Sequence, residues 1–191
     1  MFGPGDVAFF DRVAPLYDLV MPPAGGAPLA AGFERAERSV DRLLDVGGGS
    51  GRAAAAITGP EVTVIDASRR MLRQARRGRG LDAIAGDAGR LPIRDGAVDA
   101  ALIVDALHHF PDRETTLSEI ARVLAPGGVL VVREFDPTHP LGRVLEASEH
   151  LIGMESTFVG PDSLAEELAP HGFRASVIDR GFGYTVVGVR L

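Results

Sequence analysis

The 191-residue sequence has no cysteine, no lysine, no asparagine and no tryptophan. Without cysteine there is no disulfide, no thiolate nucleophile, no thiolate zinc site and no iron–sulfur cluster. Without lysine there is no Schiff-base chemistry and no Walker phosphate loop, which needs a Gly-Lys pair; all 20 basic side chains are arginine. Positive charge is in deficit as well: 26 acidic side chains leave a net charge of -6, which speaks against non-specific nucleic-acid binding. Long hydrophobic runs are also missing. The most apolar stretches, residues 97–110 and 123–132, are interrupted by Asp99, Asp105 or Gly127-Gly128, so neither is expected to span a bilayer. The first residues include Asp6 and Asp11 and no basic flank, so no signal peptide is expected and the protein is read as cytoplasmic.

What is present is a core-forming chain, 46% hydrophobic, of the right length for one domain. It is organised around Asp45-x-Gly47-x-Gly49-x-Gly51. An apolar run over residues 40–46 reads as a buried strand, the glycines as a tight turn, and the alanines of residues 53–57 as the start of a helix. Glycines permit positive φ and close approach of a ligand to the backbone, while the free N–H groups of a helix start face whatever lies over the turn. Look-alike motifs fail on spacing. Position 52 is Arg52, where the dinucleotide fingerprint and the nucleophile elbow both need glycine.

The rest of the chain alternates. Residues 62–65 form a β-branched strand ending in Asp66, an acid about 20 residues beyond the motif, where such folds grip a ribose diol. Asp66 or Ser68 also suits the N-cap of a helix over residues 69–77. Residues 81–88 read as strand three with the acid Asp87 at its end, and residues 98–104 as strand four, apolar enough to be buried on both faces. A helix over residues 113–124 stops at Pro126-Gly127-Gly128, and residues 129–135 are strand five. The tail reads as a helix (141–152), a loop (153–160), a helix (164–171) and two strands (173–179 and 184–189) whose four-residue link permits only an antiparallel hairpin. Two N-terminal helices, within residues 2–21 and over residues 29–38, are expected to cap the core or to close over a ligand, with a Pro/Gly loop between them. The expectation is an α/β, three-layer Rossmann-like fold with a mostly parallel seven-stranded sheet ending in an antiparallel hairpin. All of residues 1–191 form one domain, with residues 1–40 as a helical cap and residues 136–160 as a lid segment.

In their order these motifs resemble the class I S-adenosylmethionine-dependent methyltransferases. Residues 43–51 are similar to the first motif of that family and residues 62–71 to the segment whose acid binds ribose and whose methionine lies against adenine. Gly86-Asp87-Ala88 followed by Leu91-Pro92 looks like the adenine clamp; residues 107–110 and 122–128 complete the set. The resemblance implies S-adenosyl-L-methionine as cofactor, contacted by Asp45, Gly47, Gly48, Gly49, Gly51, Asp66, Ala67, Met71, Asp87, Ala88 and Val104. Residues 10–18, Phe-Asp-Arg-Val-Ala-Pro-Leu-Tyr-Asp, resemble the N-terminal signature of the C-methyltransferases of ubiquinone and menaquinone biosynthesis, which implies that Tyr17 approaches the cofactor. The chain departs from that group in carrying His108-His109 where those enzymes carry an Arg-Asn pair.

Histidine is suited to proton transfer near neutral pH, and both stand at the end of strand four, so His108 and His109 are the candidate catalytic residues. The same lack of asparagine disfavours the amino-methylase motif of nucleic-acid enzymes and the magnesium-dependent catechol type; no metal site is expected, although Asp105, His108, His109 and Asp112 have workable spacing. Without cysteine, radical chemistry on the same cofactor is excluded. The expected partner is a small, lipophilic methyl acceptor resembling a quinol or phenol. A non-catalytic cofactor-binding module is the alternative, and the oligomeric state is left open, a homodimer included.

Overall fold

The computed structural model describes residues 6–20 and 26–191, with the backbone alone for residues 15–20. Seven strands form one sheet: β1 (Arg42–Val46), β2 (Glu61–Asp66), β3 (Asp82–Ala85), β4 (Val98–Val104), β5 (Leu124–Phe135), β6 (Phe173–Asp179) and β7 (Gly183–Arg190). Their order is β3-β2-β1-β4-β5-β7-β6. The first five are parallel, while β7 runs antiparallel between β5 and β6. This is the Rossmann-like methyltransferase sheet expected from the sequence, closing hairpin included.

Helices cover both faces because the central strands are apolar on both sides. In β4 every residue from Val98 to Ile103 is buried. Its alternate residues Ala101 and Ile103 join a core with Leu117 and Ile120 of α4 (Arg113–Val123) and Leu164 and Leu168 of α6 (Pro161–Leu168). Ala100 and Leu102 point the other way, into a core with Leu29 of α2 (Gly26–Phe33). Helix α3 (Arg69–Arg79) packs Leu72 and Ala75 on Val64 and Ala83; its arginines face outward as a solvated stripe. It starts at Ser68, whose Oγ accepts from the Met71 N–H at 3.2 Å, and ends at left-handed Gly80.

Three elements differ from the sequence reading. The alanines after the glycine turn form only a single 3-10 turn, Ala54–Ala56. Alanine favours helix, but the chain must return to β2 at Glu61 after Gly59-Pro60, leaving no room for an α-helix. The second N-terminal helix ends at Phe33, because Glu37 donates its N–H to the Gly127 carbonyl at 2.8 Å and pulls the chain toward β1. Strand β5 begins at Leu124 and carries Pro126-Gly127-Gly128 as an irregularity, its pairing with β4 shifting between Val98 and Ala100.

The strand order sets the site. Chain connections leave β1 toward β2 and β3 on one side and reach β4 and β5 on the other, so a crevice opens at the C-terminal ends of β1 and β4. Helix α1 (Val7–Val20) lies beside it, docked on α3 through Asp11, which accepts from Ser68 Oγ at 2.6 Å. Helix α5 (Pro140–Leu151) follows β5 and leaves Leu141, Val144 and Leu151 exposed. Among the described residues no helix is long and apolar enough to cross a membrane.

Candidate active site

The turn after β1 is shaped by its glycines. Gly47 and Gly49 have φ of 71° and 56°, the left-handed region that disfavours any side chain. A Cβ at Gly49 would lie 3.0 Å from Met71 Cε, and one at Gly48 only 2.3 Å from Asp45 Oδ2. The turn is thus a bare cradle over which backbone and carboxylates are exposed to a ligand. Asp66, at the end of β2, fixes it: Oδ2 accepts from the Gly49 N–H at 2.9 Å and Oδ1 from the Ser68 N–H at 2.7 Å. Of the two N-cap candidates it is Ser68 that caps α3, while Asp66 holds the glycine turn, a contact the sequence reading does not include. Asp87, at the end of β3, is exposed and accepts from the Gly89 N–H at 2.9 Å.

Asp45 is different. It is fully buried, and neither carboxylate oxygen has a hydrogen-bond partner. Burial pushes its carboxyl up to about 7, with the nearby Asp66 charge adding; the Ala54 N–H, directed at it but outside hydrogen-bond geometry, and then Arg52 oppose the rise. An unpartnered buried carboxylate costs several kcal/mol unless something cationic meets it. The cavity above supplies the space.

That cavity, about 680 Å3, is lined by Asp45, Gly47, Gly48, Gly49, Asp66, Ala67, Met71, Asp87, Ala88, Val104 and His109, all foreseen from the sequence. Gly51 stands behind the wall, where a Cβ would lie 2.5 Å from Leu81 Cδ1. His108 is also behind it, and the side chain of Tyr17 lies outside the described residues. The sequence reading does not assign to the cofactor cavity Arg52 and Asp105, which reach 3.5 Å from each other on its wall, or the apolar Val7 and Phe110. Asp105 sits at φ 51°, and burial with repulsion from Glu134 pushes its carboxyl up to about 6.

Beneath the far end is a buried polar knot. Glu134 of β5 accepts from the Ala106 and Leu107 N–H groups at 3.0 and 2.6 Å, and lies 2.6 Å from His108 Nδ1. Burial alone would lower the His108 pKa, but the Glu134 carboxylate overrides it and raises it. Phe158 stacks on this ring at 4.2 Å. Glu149 of α5 comes within 3.9 Å of His108 Nε2. His108, His109 and Glu149 bring possible ligand atoms within 4.8 Å of one another, although Glu134 already engages one His108 nitrogen. His109 is edge-on to Phe10 at 4.9 Å. Burial and the neighbouring His108 charge hold its pKa far below the usual histidine value, so it is neutral.

Residues 44–132 match a family model described as a methyltransferase domain. A demethylmenaquinone methyltransferase of Parafrankia is 34% identical over 230 aligned positions, which cover 96% of this chain and 87% of that protein. The chain belongs to the class I S-adenosylmethionine-dependent methyltransferases. A demethylmenaquinone methyltransferase of Thermus thermophilus is 39% identical over 142 residues, 67% of this chain and 64% of its own length. The chain thus spans a little under two thirds of that relative. A SAM-dependent methyltransferase of Thermotoga maritima, described as a possible histamine N-methyltransferase, superposes with a TM-score of 0.79 over 95% of this chain and 98% of its own; at 23% identity it speaks for the fold alone. Members of that family use S-adenosylmethionine, and the residues of this cavity fit that molecule. The orphaned Asp45 carboxylate suits an ammonium group, the glycine cradle admits a ligand to the backbone, Asp66 ends β2, and Asp87 follows two residues after β3.

Proposed function

We propose that this methyltransferase acts on a small, lipophilic acceptor carrying a quinol- or phenol-like hydroxyl. In this reading Asp66 holds the cofactor's ribose, Asp87 with Ala88 the adenine, Met71 and Ala67 its ring face, and Asp45 with Gly47, Gly48 and Gly49 the amino-acid end beside Val104. When bound, the cofactor supplies an electrophilic methyl group on a sulfonium. The chain's own task is to hold the acceptor in line, exclude water and take up a proton; positioning contributes about 7–11 kcal/mol in well-oriented systems. Neutral His109 is the group that takes the proton, and His108, clamped by Glu134, holds it in place.

One observation carries this reading: a single cavity joins the cofactor cradle to His109 through apolar walls from Val7, Phe10 and Phe110. The volume leaves room for a reacting pair, which favours an enzyme over a module that only stores cofactor. The names of the quinone relatives point the same way. Residues 1–191 act as one domain, with α1 and α2 as its cap and residues 136–160 as its lid, and the reaction as proposed needs no metal. The net charge of -6 makes a nucleic-acid substrate a poor match. Release of S-adenosylhomocysteine in the presence of demethylated naphthoquinols and substituted phenols is the test. Turnover limited to amines or to polar acids would overturn the acceptor class.

A pH dependence follows from Asp45. Its carboxyl is protonated more readily in the folded state than in the unfolded chain, so it lowers stability as pH rises from about 4 to 7. For the cofactor the sign is opposite, because only the ionised carboxylate pairs with an ammonium. Affinity for S-adenosylhomocysteine should rise about tenfold from pH 6 to pH 7.5 and then level. Asp45→Asn should bind weakly and flatten the curve; calorimetry at four pH values reads both.

A further inference from the structure

Asp6 precedes α1, is 1% exposed and sits at φ 53°, a left-handed backbone that a short acidic side chain tolerates. Both of its oxygens accept from the Glu155 N–H, at 3.3 Å each. Its Oδ2 lies 3.2 Å from His109 Nδ1. The Oγ of Ser156 is 3.4 Å from the same nitrogen. These contacts join the segment before α1, the end of β4 and the loop after α5 at one ring.

A neutral imidazole carries one proton, and its neighbours decide which nitrogen holds it. Burial raises the Asp6 carboxyl above its ordinary value and the Glu155 N–H opposes that rise; in its ionised form Asp6 only accepts, so it selects the form with the proton on Nδ1 and the lone pair on Nε2. Ser156, as a donor to Nδ1, would select the reverse. The carboxylate has the stronger claim because its hydrogen bond is charge-assisted and shorter. A neutral His109 with a depressed pKa is a weak base in isolation. A fixed negative charge on its far side becomes favourable as the ring gains a proton.

We propose that Asp6 is the positioning residue that sets His109 in the Nδ1–H form, and that the site takes acceptors that must lose a proton on methylation, hydroxyls or acidic ring carbons. This rests on the base assignment for His109 made above. The acceptor gains a bond to the methyl carbon while the carbon–sulfur bond breaks and its electron pair stays on sulfur. The acceptor's proton passes to Nε2, and the resulting imidazolium keeps its Nδ1–H on Asp6. The segment before α1 then belongs to the catalytic apparatus and does more than cover it.

Long-range proton–nitrogen NMR of the histidine rings in the cofactor-free protein tests the assignment without any acceptor. The expected spectrum has His109 protonated on Nδ1. Asp6→Ala should move that proton to Nε2 as Ser156 takes over, and Asp6→Asn, whose amide carbonyl still accepts, should leave it in place. With a demethylated naphthoquinol, kcat should fall about a hundredfold in Asp6→Ala and about tenfold in Asp6→Asn. KM and S-adenosylhomocysteine affinity should stay within threefold. A proton on Nε2 in the unmodified protein, or a loss expressed in KM alone, would overturn the proposal. If no naphthoquinol or phenol is turned over by the unmodified enzyme, the acceptor reading fails, while the ring spectrum still decides the role of Asp6.

Discussion

Asp66→Ala is expected to weaken S-adenosylhomocysteine binding about a hundredfold, by calorimetry, with the melting temperature changed far less than the affinity. Two hydroxyl bonds to a charged carboxylate contribute about 1.5 kcal/mol each at the lower end, or about 3 kcal/mol together, and each 1.4 kcal/mol is a factor of ten. A second effect adds to this. Asp66 accepts from the Gly49 N–H at 2.9 Å, so its removal also loosens the turn on which the cofactor's sugar and amino-acid parts meet. Asp66→Asn separates the two contributions: the amide oxygen still accepts one backbone bond, so the turn survives while the charge is lost. Affinity in Asp66→Asn should fall between those of the other two proteins. Equal affinity in all three would remove Asp66 from the cofactor site.

The second large effect is on stability. Glu134→Ala should lower unfolding free energy by about 3–5 kcal/mol, the cost of breaking a buried ion pair. For a domain of this size that is on the order of 10–15 °C in melting temperature. The side chain is 2% exposed on its strand and serves three donors at once. Its removal orphans two buried N–H groups and leaves an imidazolium without its nearest counter-charge. Glu134→Gln keeps an acceptor oxygen and should recover about half the loss. Denaturant titration monitored by circular dichroism reads this directly, and a loss below about 1 kcal/mol in Glu134→Ala would show that water replaces the carboxylate.

Strand periodicity and glycine punctuation made most of the sheet readable in advance. The bounds of β4 and β6, the N-terminus of α3 and the final hairpin all follow from patterns within a few residues of each other. The sequence also placed Asp45, Asp66 and Asp87 near the ends of neighbouring apolar runs, and the structure brings all three to the wall of one cavity. Where local preference and chain length disagree, the sequence misleads. Four alanines favour a helix, but the short path from Gly51 to Glu61 permits only a 3-10 turn. Where partners are distant, the sequence is silent. Asp6 meets His109 from 103 positions away, and nothing in the residues around either one marks the other. Glu134 did leave a trace: beside Arg133 it follows a long apolar stretch of β5, and a carboxylate there is costly unless paired. That signal identifies a buried network without naming its members.

Strand β7 follows β6 in the chain, yet it lies inside the sheet, hydrogen-bonded to β5 on one edge and β6 on the other. Until it arrives, the twelve-residue β5 has an open edge and β6 has no neighbour. Strands β1 to β4 precede β7 in the chain, so the edge of β5 beside Glu134 is sealed only once β7 has paired with it. Shortening the chain by those eight residues should therefore send it into strand-mediated aggregates instead of producing a trimmed but working enzyme.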